Sequence, residues 1–352
     1  MNENDINRRV TIKDIAEEIG VSTATVSNVI HGKTKKISDR TVAKVQEKLQ
    51  ESGYIPNMAA VLLAQNSSRI VCVVVSDHER YEGHMLEDPF VTQMINTISK
   101  ELSFHGYFMM IKEERNIDKI VEYASMWNMA GLILMGYCSV DYENLRTRMH
   151  IPFVVVDSYE YNVKSYIDIG IDNIDGGYQA GKYLIGKGHK KILYFADNKE
   201  DCDLFRYQGL VKALREEKLP VDEKYYYLVN IEKMMRTKDY VRMWQFIKEN
   251  EITAVFAASD MYALEFMRFL LKEGVRIPQE ISLMGFDDIP LASRVYPALT
   301  TISQDIPFRA KMAVKMLHGL VEREASGGSV LLKAKLEERE SVADIRKGEI
   351  YE

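Results

Sequence analysis

The sequence has few cysteines and no long apolar segment. Its three cysteines, Cys72, Cys138 and Cys202, are far apart and form no C-x-x-C pair, which excludes a disulfide framework and a cysteine-rich zinc site. No stretch approaches the ~18 uncharged apolar residues of a membrane span, and the start MNENDINRRV lacks the apolar core of a signal peptide. We therefore expect a protein of the reducing cytoplasm that is neither exported nor bound to a membrane.

The sequence also lacks the motifs of common enzyme classes. It has no G-x-S-x-G elbow, no Ser/His/Asp ordering and no dinucleotide-binding glycine fingerprint in the right context. Gly181, Gly186 and Lys187 give G-x-x-x-x-G-K, but residue 188 is glycine where a phosphate-binding loop needs Ser or Thr, so the segment is interpreted as a helix end. We expect no catalytic activity and no cofactor.

Length and charge indicate a chain of two different parts. With 352 residues, 46% of them hydrophobic, the chain exceeds the ~250–300 residues at which single cores stop growing. The net charge is −6, yet residues 8–50 carry nine Lys or Arg against five Asp or Glu. A small basic head on an acidic body predicts that the head alone contacts nucleic-acid phosphates.

The basic head contains signals for three short helices. Thr11, Ser22 and Ser38 each precede an apolar helical period and are typical N-cap residues, and Gly20 ends the first helix. The connection between the first two helices is very short, which is typical of a helix-turn-helix. A unit of about 50 residues buries only a small core, so it is predicted to bind DNA rather than to catalyse a reaction.

One continuous segment resembles a known family. The stretch VTIKDIAEEIGVSTATVSNVIHGKTKKISDRTVAKVQEKLQESGYIPNMAAVLLAQ is similar to the DNA-binding head and hinge of the LacI/GalR family of bacterial repressors. The resemblance implies an all-α head of three helices at 1–55, a hinge helix and linker at 56–67, and an effector-binding and dimerisation body at 68–352. It also implies a homodimer on a pseudo-palindromic operator. No heptad segment follows the last predicted strand, so a tetramer is not expected.

The resemblance places the second helix in the major groove and the hinge helix in the minor groove. Base contacts in the major groove are expected from Thr23, Ala24 and Asn28, whose amide can pair bidentately with adenine. Leu63 is expected to wedge between base pairs. The residues expected to contact phosphates or to position the helices are Ser22, Thr25, Ser27, Lys33 and Asn57. Lys35 and Lys36 are expected to contact phosphates with Lys33, although a loop of solvated lysines is a nearly equal alternative.

From residue 69 onward, apolar strands alternate with amphipathic helices. Runs such as RIVCVVV, PFVVVD, KILYFAD and ISLMGFDD are typical of parallel strands covered on both faces. They predict an α/β body of two doubly wound parallel-sheet lobes, as in the periplasmic-binding-protein-like (type I) body of the family. The crossings are expected near 158–165, 291–297 and 321–328, with lobe one at about 68–162 and 294–323 and lobe two at about 163–293 and 324–352.

Ligands of such sheets bind beyond the carboxyl ends of the strands, here in a cleft between the lobes. The resemblance assigns effector contacts to Arg206, whose fork suits paired hydroxyls, and to Asp287, which accepts from them. Asp157 and Asp260 are as typical of helix caps as of ligand contacts. The other residues expected in the cleft are Ser259, Asp77 and Phe90.

For two further groups of residues, a structural role is preferred over ligand or metal binding. The loop at 76–88 carries His78 and His84 beside carboxylates, which admits a zinc site, but no helical spacing holds the imidazoles together, so a solvated or ligand-capping loop without metal is expected. A cluster of apolar residues is interpreted as core rather than as a platform for a sugar ring; it comprises Met234, Met235, Met243 and Trp244.

The patterns together predict a sequence-specific DNA-binding transcriptional regulator. It is expected to be a repressor whose operator affinity a small-molecule effector controls, and Arg206 with Asp287 favours a neutral sugar. A purine- or nucleoside-responsive regulator of the same family is the alternative. A cytosolic sugar-binding protein or an enzyme is the remaining competing class.

Overall fold

The structure is a computed structural model that describes residues 10–55, 68–76, 84–136, 142–158, 166–229, 237–324 and 328–347. Contacts divide the chain into two units, Met1–Ser68 and Arg69–Glu352. The expected hinge at 56–67 lies outside the described residues. Across the ranges that are described, no helix is both long and apolar enough to cross a membrane.

The first unit is an all-α head of three helices, α1 (Ile12–Ile19), α2 (Thr23–Ile30) and α3 (Asp39–Glu51). Ile15 and Val26 are fully buried where the helices meet. This core is small, and its few aliphatic side chains fix how α2 is oriented relative to the other two helices.

The helix caps of the head are those that the sequence predicts. The side chains of Thr11, Ser22 and Ser38 each accept a hydrogen bond from the backbone amide three residues on, and Thr11 forms a full capping box with Asp14. Gly20 ends α1 with a φ of 70°, a left-handed conformation that glycine adopts without strain. Local sequence therefore determines where α1 ends and α2 begins.

The second unit alternates strands and helices. Its helices are α4 (Pro89–Phe104), α5 (Ile117–Met126), α6 (Tyr142–Arg148), α7 (Asn173–Gly186), α8 (Asp201–Glu216), α9 (Thr237–Glu249), α10 (Asp260–Lys272) and α11 (Ile306–Val321). Its strands are β1 (Ile70–Val75), β2 (Phe108–Glu113), β3 (Gly131–Met135), β4 (Phe153–Val156), β5 (Ile167–Ile171), β6 (Ile192–Ala196), β7 (Tyr226–Leu228), β8 (Ala254–Ala257), β9 (Ser282–Asp287), β10 (Thr300–Ser303), β11 (Val330–Leu332) and β12 (Lys335–Glu337).

The strands form two six-stranded sheets, which confirms the predicted α/β body of two lobes. The sheet of lobe one has the order β11-β5-β4-β3-β1-β2 and is parallel throughout. The sheet of lobe two has the order β12-β10-β9-β8-β6-β7, and only β12 is antiparallel in it. The central strands are buried along their whole length, as continuous apolar strands covered by helices on both faces should be.

The three crossings between the lobes come later in the chain than expected. Strand β5 still belongs to lobe one and β10 still belongs to lobe two, and β11 and β12 belong to different sheets. The crossings therefore lie after Ile171, after Ser303 and after Leu332, not at 158–165, 291–297 and 321–328.

Polar residues inside the misassigned strands explain this difference. Strand β5 reads IDIGI and β10 reads TTIS, so neither has the continuous apolar run that identifies a buried parallel strand. Both are nevertheless buried, because their polar groups have partners within the fold. Asp168 accepts a hydrogen bond from the Ser158 amide at 3.1 Å, and Thr301 donates one to Asp260 at 2.5 Å.

Candidate functional site

In the head, α2 presents one exposed polar face. Thr23, Ala24 and Asn28 are exposed, whereas Val26 and Val29 on the opposite side are buried against the other helices. The three residues expected to contact bases thus share the free face of a short helix. A helix of this kind fits the width of a DNA major groove.

The hydroxyl groups expected at phosphates are partly occupied within the head. Ser22 Oγ accepts from the Thr25 amide at 3.1 Å, and the two hydroxyls lie 2.9 Å apart. Both side chains therefore stabilise the N-terminus of α2. Each hydroxyl keeps the capacity for one more hydrogen bond, which a phosphate could use. Ser27 is half-buried, and Lys33, Lys35 and Lys36 are exposed. Asn57 and Leu63 lie outside the described residues.

In the body, Arg206 is held by four groups of lobe two. Its Nε donates to Asn173 Oδ1 at 2.9 Å and its Nη1 donates to the Ala258 carbonyl at 2.5 Å. Nη1 also lies 3.7 Å from Asp287 Oδ1, and the guanidinium stacks 3.7 Å above the ring centre of Phe286. The arginine is buried and its plane is fixed, so its remaining donors point in one defined direction.

A chain of hydrogen bonds continues from Asp287 into lobe one. Gln304 Nε2 donates to Asp287 Oδ1, and Arg309 Nη1 donates to Gln304 Oε1. Arg309 Nη2 donates to Asp157 Oδ1 at 2.5 Å and to the Ile169 carbonyl at 3.2 Å. All four of these side chains are buried. Gln304 lies on the second crossing, so the chain links the strand ends of the two lobes directly.

Two buried carboxyl groups lie behind this chain. Burial and, next, the neighbouring Asp157 raise the pKa of Asp168 to about 6. Burial and, next, Asp287 raise the pKa of Asp260 well above its ordinary value. Asp260 accepts from Thr301 Oγ1 and from the Ile289 amide at 2.9 Å, and it has no exposed surface. Asp260 therefore supports the loop after β9 and does not face a ligand.

Backbone strain marks the two strand ends that carry cleft carboxylates. Asp157 follows β4 with a φ of 62°, and Asp287 ends β9 with a φ of 123°. Non-glycine residues rarely adopt these conformations, and they concentrate where a fold positions side chains for binding. Positive φ also occurs at helix and loop ends elsewhere in the described chain, as at Asp201 and Lys218, so it fixes how these two carboxylates are presented without by itself identifying a ligand.

The other residues expected in the cleft have mixed placements. The Ser259 hydroxyl accepts from the Tyr262 amide at 3.3 Å and so caps α10. The ring centre of Phe90 lies 5.8 Å from the Arg309 guanidinium, beside the chain of hydrogen bonds. Asp77 lies outside the described residues.

The structure describes only part of the loop at 76–88 and only part of the apolar cluster that contains Met243. His84 is exposed and lies 3.4 Å from Glu87, whereas His78 lies outside the described residues. No group of three metal ligands occurs in the part of the chain that the structure describes. Met243 is fully buried in the core, as predicted, and Met234 and Met235 fall outside the described ranges.

Comparison with known proteins decides the family. The profile described as "Bacterial regulatory proteins, lacI family" matches residues 11–57, and the one described as "Periplasmic binding protein-like domain" matches residues 182–342. The HTH-type transcriptional repressor PurR of Edwardsiella ictaluri (strain 93-146) is 32% identical over 346 residues, covering 95% of this chain and 97% of that protein. The chain belongs to the LacI family.

Solved structures agree with this assignment. The Lac repressor dimer bound to operator and the anti-inducer ONPF has a TM-score of 0.80 and 25% identity, covering 96% of this chain and all of that chain. The complex of the transcriptional regulator CelR with cellobiose has a TM-score of 0.67 and 25% identity, covering 95% of this chain and all of that chain. The predicted family and the predicted DNA-binding transcriptional regulator are confirmed.

Sequence reasoning missed three residues of this LacI-family cleft, namely Asn173, Gln304 and Arg309. Asn173 opens α7 and Gln304 follows β10, positions where a polar residue is typical of a helix start or a loop. Arg309 lies in α11, where it interrupts an apolar face without any local sign that it is buried. Its partners are 5 and 152 residues away, and no sequence pattern brings them together.

Close packing of α7 and α8 positions Arg206, and this packing gives a first prediction. A Cβ on Gly177 would lie 1.9 Å from the Arg206 carbonyl oxygen. Gly177→Ala should therefore push α8 away and lower the free energy of unfolding by about 1–3 kcal/mol, the range typical of overpacking. Gly186→Ala in the same helix is the control, because nothing lies within 4 Å of its Cβ. Equal urea midpoints for Gly177→Ala and Gly186→Ala would show that α7 and α8 are not closely packed at Gly177.

The exposed face of α2 gives a second prediction. Asn28→Ala should relax discrimination at one base pair of each operator half-site by about 1–3 kcal/mol, because it removes the only amide among the three expected base contacts. Lys36→Ala on the exposed loop is the control and should weaken all sequences equally. Binding to a set of single-base operator variants measures both effects. An unchanged preference in Asn28→Ala would exclude this residue as a base contact.

Proposed function

We propose that this LacI-family chain is a repressor that binds a pseudo-palindromic operator as a homodimer, and that a neutral polyhydroxylated molecule, a sugar or sugar derivative, controls operator affinity from the cleft. The ion pair of Arg206 with Asp287 and the three hydrogen bonds that continue from Asp287 to Asp157 carry the proposal. Together they span both lobes and end at the strained strand termini where ligands of parallel sheets bind. Such a regulator acts in the cytoplasm and releases its effector unchanged, so it is not an enzyme.

The charges of the cleft support a neutral effector. The Arg206 guanidinium already lies beside Asp287, and Arg309 already binds Asp157. Each of these two cations therefore has its own carboxylate, and among the described residues of this hydrogen-bonded chain no net positive charge remains to hold a phosphate or carboxylate ligand. A fixed guanidinium edge beside a carboxylate instead matches a pair of hydroxyl groups, which both accept and donate hydrogen bonds. The cellobiose complex of CelR is consistent with this chemistry.

A purine or nucleoside is the second candidate effector. Relatives over nearly the whole chain, such as that of Edwardsiella ictaluri, carry the name PurR. A purine also presents adjacent donors and acceptors to the Arg206 and Asp287 pair. It differs from a sugar in needing an aromatic surface for its ring. Among the described residues beside the chain of hydrogen bonds, Phe90 presents an aromatic ring near Arg309.

A thermal-shift screen of the full-length protein tests the proposal. The arms are neutral sugars, sugar phosphates, purine bases and nucleosides. A ligand at about 100 times its dissociation constant stabilises the fold by about 2.7 kcal/mol, which raises the melting temperature by several degrees. We expect the largest rise with a neutral sugar. A rise with purines alone would establish the second candidate, and a rise with sugar phosphates alone would contradict a site without net positive charge.

The dimer proposal rests on an apolar edge of lobe one and gives a third prediction. Phe104 is 84% exposed and Phe108 is 56% exposed, and Phe108 begins the edge strand β2. Exposed aromatic side chains at a sheet edge are typical of a surface that another chain covers. Phe108→Lys should therefore raise the dimer dissociation constant at least about tenfold, since an anchoring aromatic contributes about 2 kcal/mol.

The opposite edge of the same sheet provides the control. Leu331 in β11 is 53% exposed, and Leu331→Lys should leave the dimer unchanged. Sedimentation at micromolar protein concentration measures both variants, and the wild-type chain should sediment as a dimer. A stable tetramer, or equal weakening by both substitutions, would contradict this assignment of the interface.

A further inference from the structure

Lobe one contains a cavity of about 160 Å³ that is separate from the cleft. It lies between α5 and the edge of the sheet formed by β2, β1 and β3. Its walls are mostly apolar, and the side chains that define it are Met110, Lys112, Cys72, Ile120, Tyr123 and Trp127. None of the residues of the hydrogen-bonded chain lines it.

The local sequence explains why the cavity exists. Along β2, Met110 and Lys112 alternate onto the face that α5 covers, paired with Cys72 and Val74 of β1. Lysine occupies a position where an apolar side chain would fill the gap against α5. Its ammonium lies 4.9 Å from the ring centre of Tyr123, at the rim of the cavity. Lys112 is half-buried, so its stem lines the wall while its ammonium keeps contact with water.

The ammonium of Lys112 is the one charge on these walls. Within the described ranges, no carboxylate forms an ion pair with it. Burial raises the pKa of the Cys72 thiol to about 12, so this side chain lines the cavity as a neutral group. The cavity thus combines an apolar interior with one lining cation that no described carboxylate pairs with.

We propose that this cavity is a second ligand site, for a small aromatic carboxylic acid whose ring enters the apolar interior and whose carboxylate binds Lys112. The volume suits one six-membered ring, because an apolar cavity of about 150 Å³ accommodates benzene. A short acidic arm reaches the ammonium at the rim, and that pairing is a charge-assisted hydrogen bond. The inference rests on lobe one alone and holds whether or not the cleft binds a sugar.

Phenylacetate is the probe, and the chain supplies its own reporters. Methyl signals of Met110 and Met129, which both line the cavity, can be followed by NMR in protein labelled at methionine. Trp127 adds a fluorescence signal when the second tryptophan is removed by Trp244→Phe. We expect saturable changes in all three signals. The uncharged analogue 2-phenylethanol should bind at least about tenfold more weakly, because it loses the charge-assisted hydrogen bond.

Two lysine substitutions test whether the carboxylate binds at the rim of this cavity. Lys112→Met should reduce phenylacetate affinity to that of 2-phenylethanol. Lys119→Met, on the exposed side of α5, should leave it at the wild-type value. The proposal is overturned if Lys112→Met binds phenylacetate as wild type does, or if no signal saturates below about 10 mM, a range that a ligand of this size reaches easily. Loss of phenylacetate binding in a variant of the cleft would also overturn the proposal, because it would assign the ligand to the cleft. Dissociation of the dimer on phenylacetate binding would overturn it too, because it would show that a second copy of the chain covers the cavity.

Discussion

Arg309→Met should lower the free energy of unfolding of the body by about 3–5 kcal/mol, the range observed when one partner of a buried ion pair is removed. Arg309 has no exposed surface, and its guanidinium binds Asp157, Gln304 and the Ile169 carbonyl. Methionine fills a similar volume but leaves the Asp157 carboxylate buried without its cation. Asp168 lies close enough to Asp157 to add repulsion between the two carboxyl groups.

Lys315→Met is the matched control for this prediction. Lys315 lies on the exposed side of the same helix, so its loss removes one positive charge without uncovering a buried carboxylate. Urea unfolding of both variants should therefore differ by several kcal/mol. Adding Asp157→Asn to Arg309→Met should restore part of the loss, because the double variant no longer buries Asp157 as an unpaired charge. Destabilisation of Arg309→Met by less than about 1 kcal/mol would show that the pair is not buried in solution.

Asp287→Asn should weaken effector binding by about 2–5 kcal/mol, a loss of about thirty-fold or more, as expected when a buried hydrogen-bonded charge is removed from an interface. The carboxylate is held by Gln304 and lies beside Arg206 at the carboxyl end of β9, and its negative charge strengthens hydrogen bonds that it accepts from ligand hydroxyls. Asparagine keeps the shape and preserves an acceptor for Gln304. It also removes one charge beside the buried Asp260, which offsets part of the stability cost.

Asp288→Asn is the control for effector binding. This neighbouring carboxylate binds Arg339 at 2.5 Å and so is engaged away from Arg206. Calorimetric titration with the effector found by screening should give the wild-type affinity for Asp288→Asn and a strongly reduced affinity for Asp287→Asn. Equal affinities in the two variants would move the effector away from the carboxyl end of β9.

Local sequence signals predicted the head well because each of them acts over a few residues. The caps at Thr11, Ser22 and Ser38 and the left-handed Gly20 depend only on their neighbours. The same is true of the continuous apolar strands, which are buried in any parallel sheet. The resemblance of the segment at 10–65 to a family added the role of each helix, which no periodicity contains.

The cleft was predicted only in part because its contacts join distant residues. Arg206 and Asp287 were identified by resemblance, but the polar side chains between them and lobe one, Gln304 and Arg309, were not. A buried arginine in a helix has the same local pattern as an exposed one. The crossings were misplaced for a related reason, since the polar residues of β5 and β10 obscure their burial. Tertiary partners, not propensity, determine both features.

The chain of hydrogen bonds explains how an effector can act on DNA binding. It connects Asp287 in lobe two to Asp157 in lobe one through Gln304 on the second crossing. A ligand that binds Asp287 favours one arrangement of the two lobes only if its contacts differ between arrangements. The segment 56–67 joins the head directly to β1 of lobe one in sequence. We therefore expect a change in lobe arrangement to alter operator affinity, and the operator measurement below tests this expectation.

Operator affinity measured with and without saturating effector, for the wild-type chain and for Asp287→Asn, tests this account most directly. The wild-type affinity should change by a coupling free energy of about 1–3 kcal/mol, which corresponds to about five- to 150-fold. Asp287→Asn should bind the operator as the wild type does without effector, and the effector concentration that gives its half-maximal change should be about thirty-fold higher or more. The same half-maximal effector concentration in Asp287→Asn and in the wild type, or no response in the wild type to any ligand that stabilises it, would contradict control of the operator from the cleft.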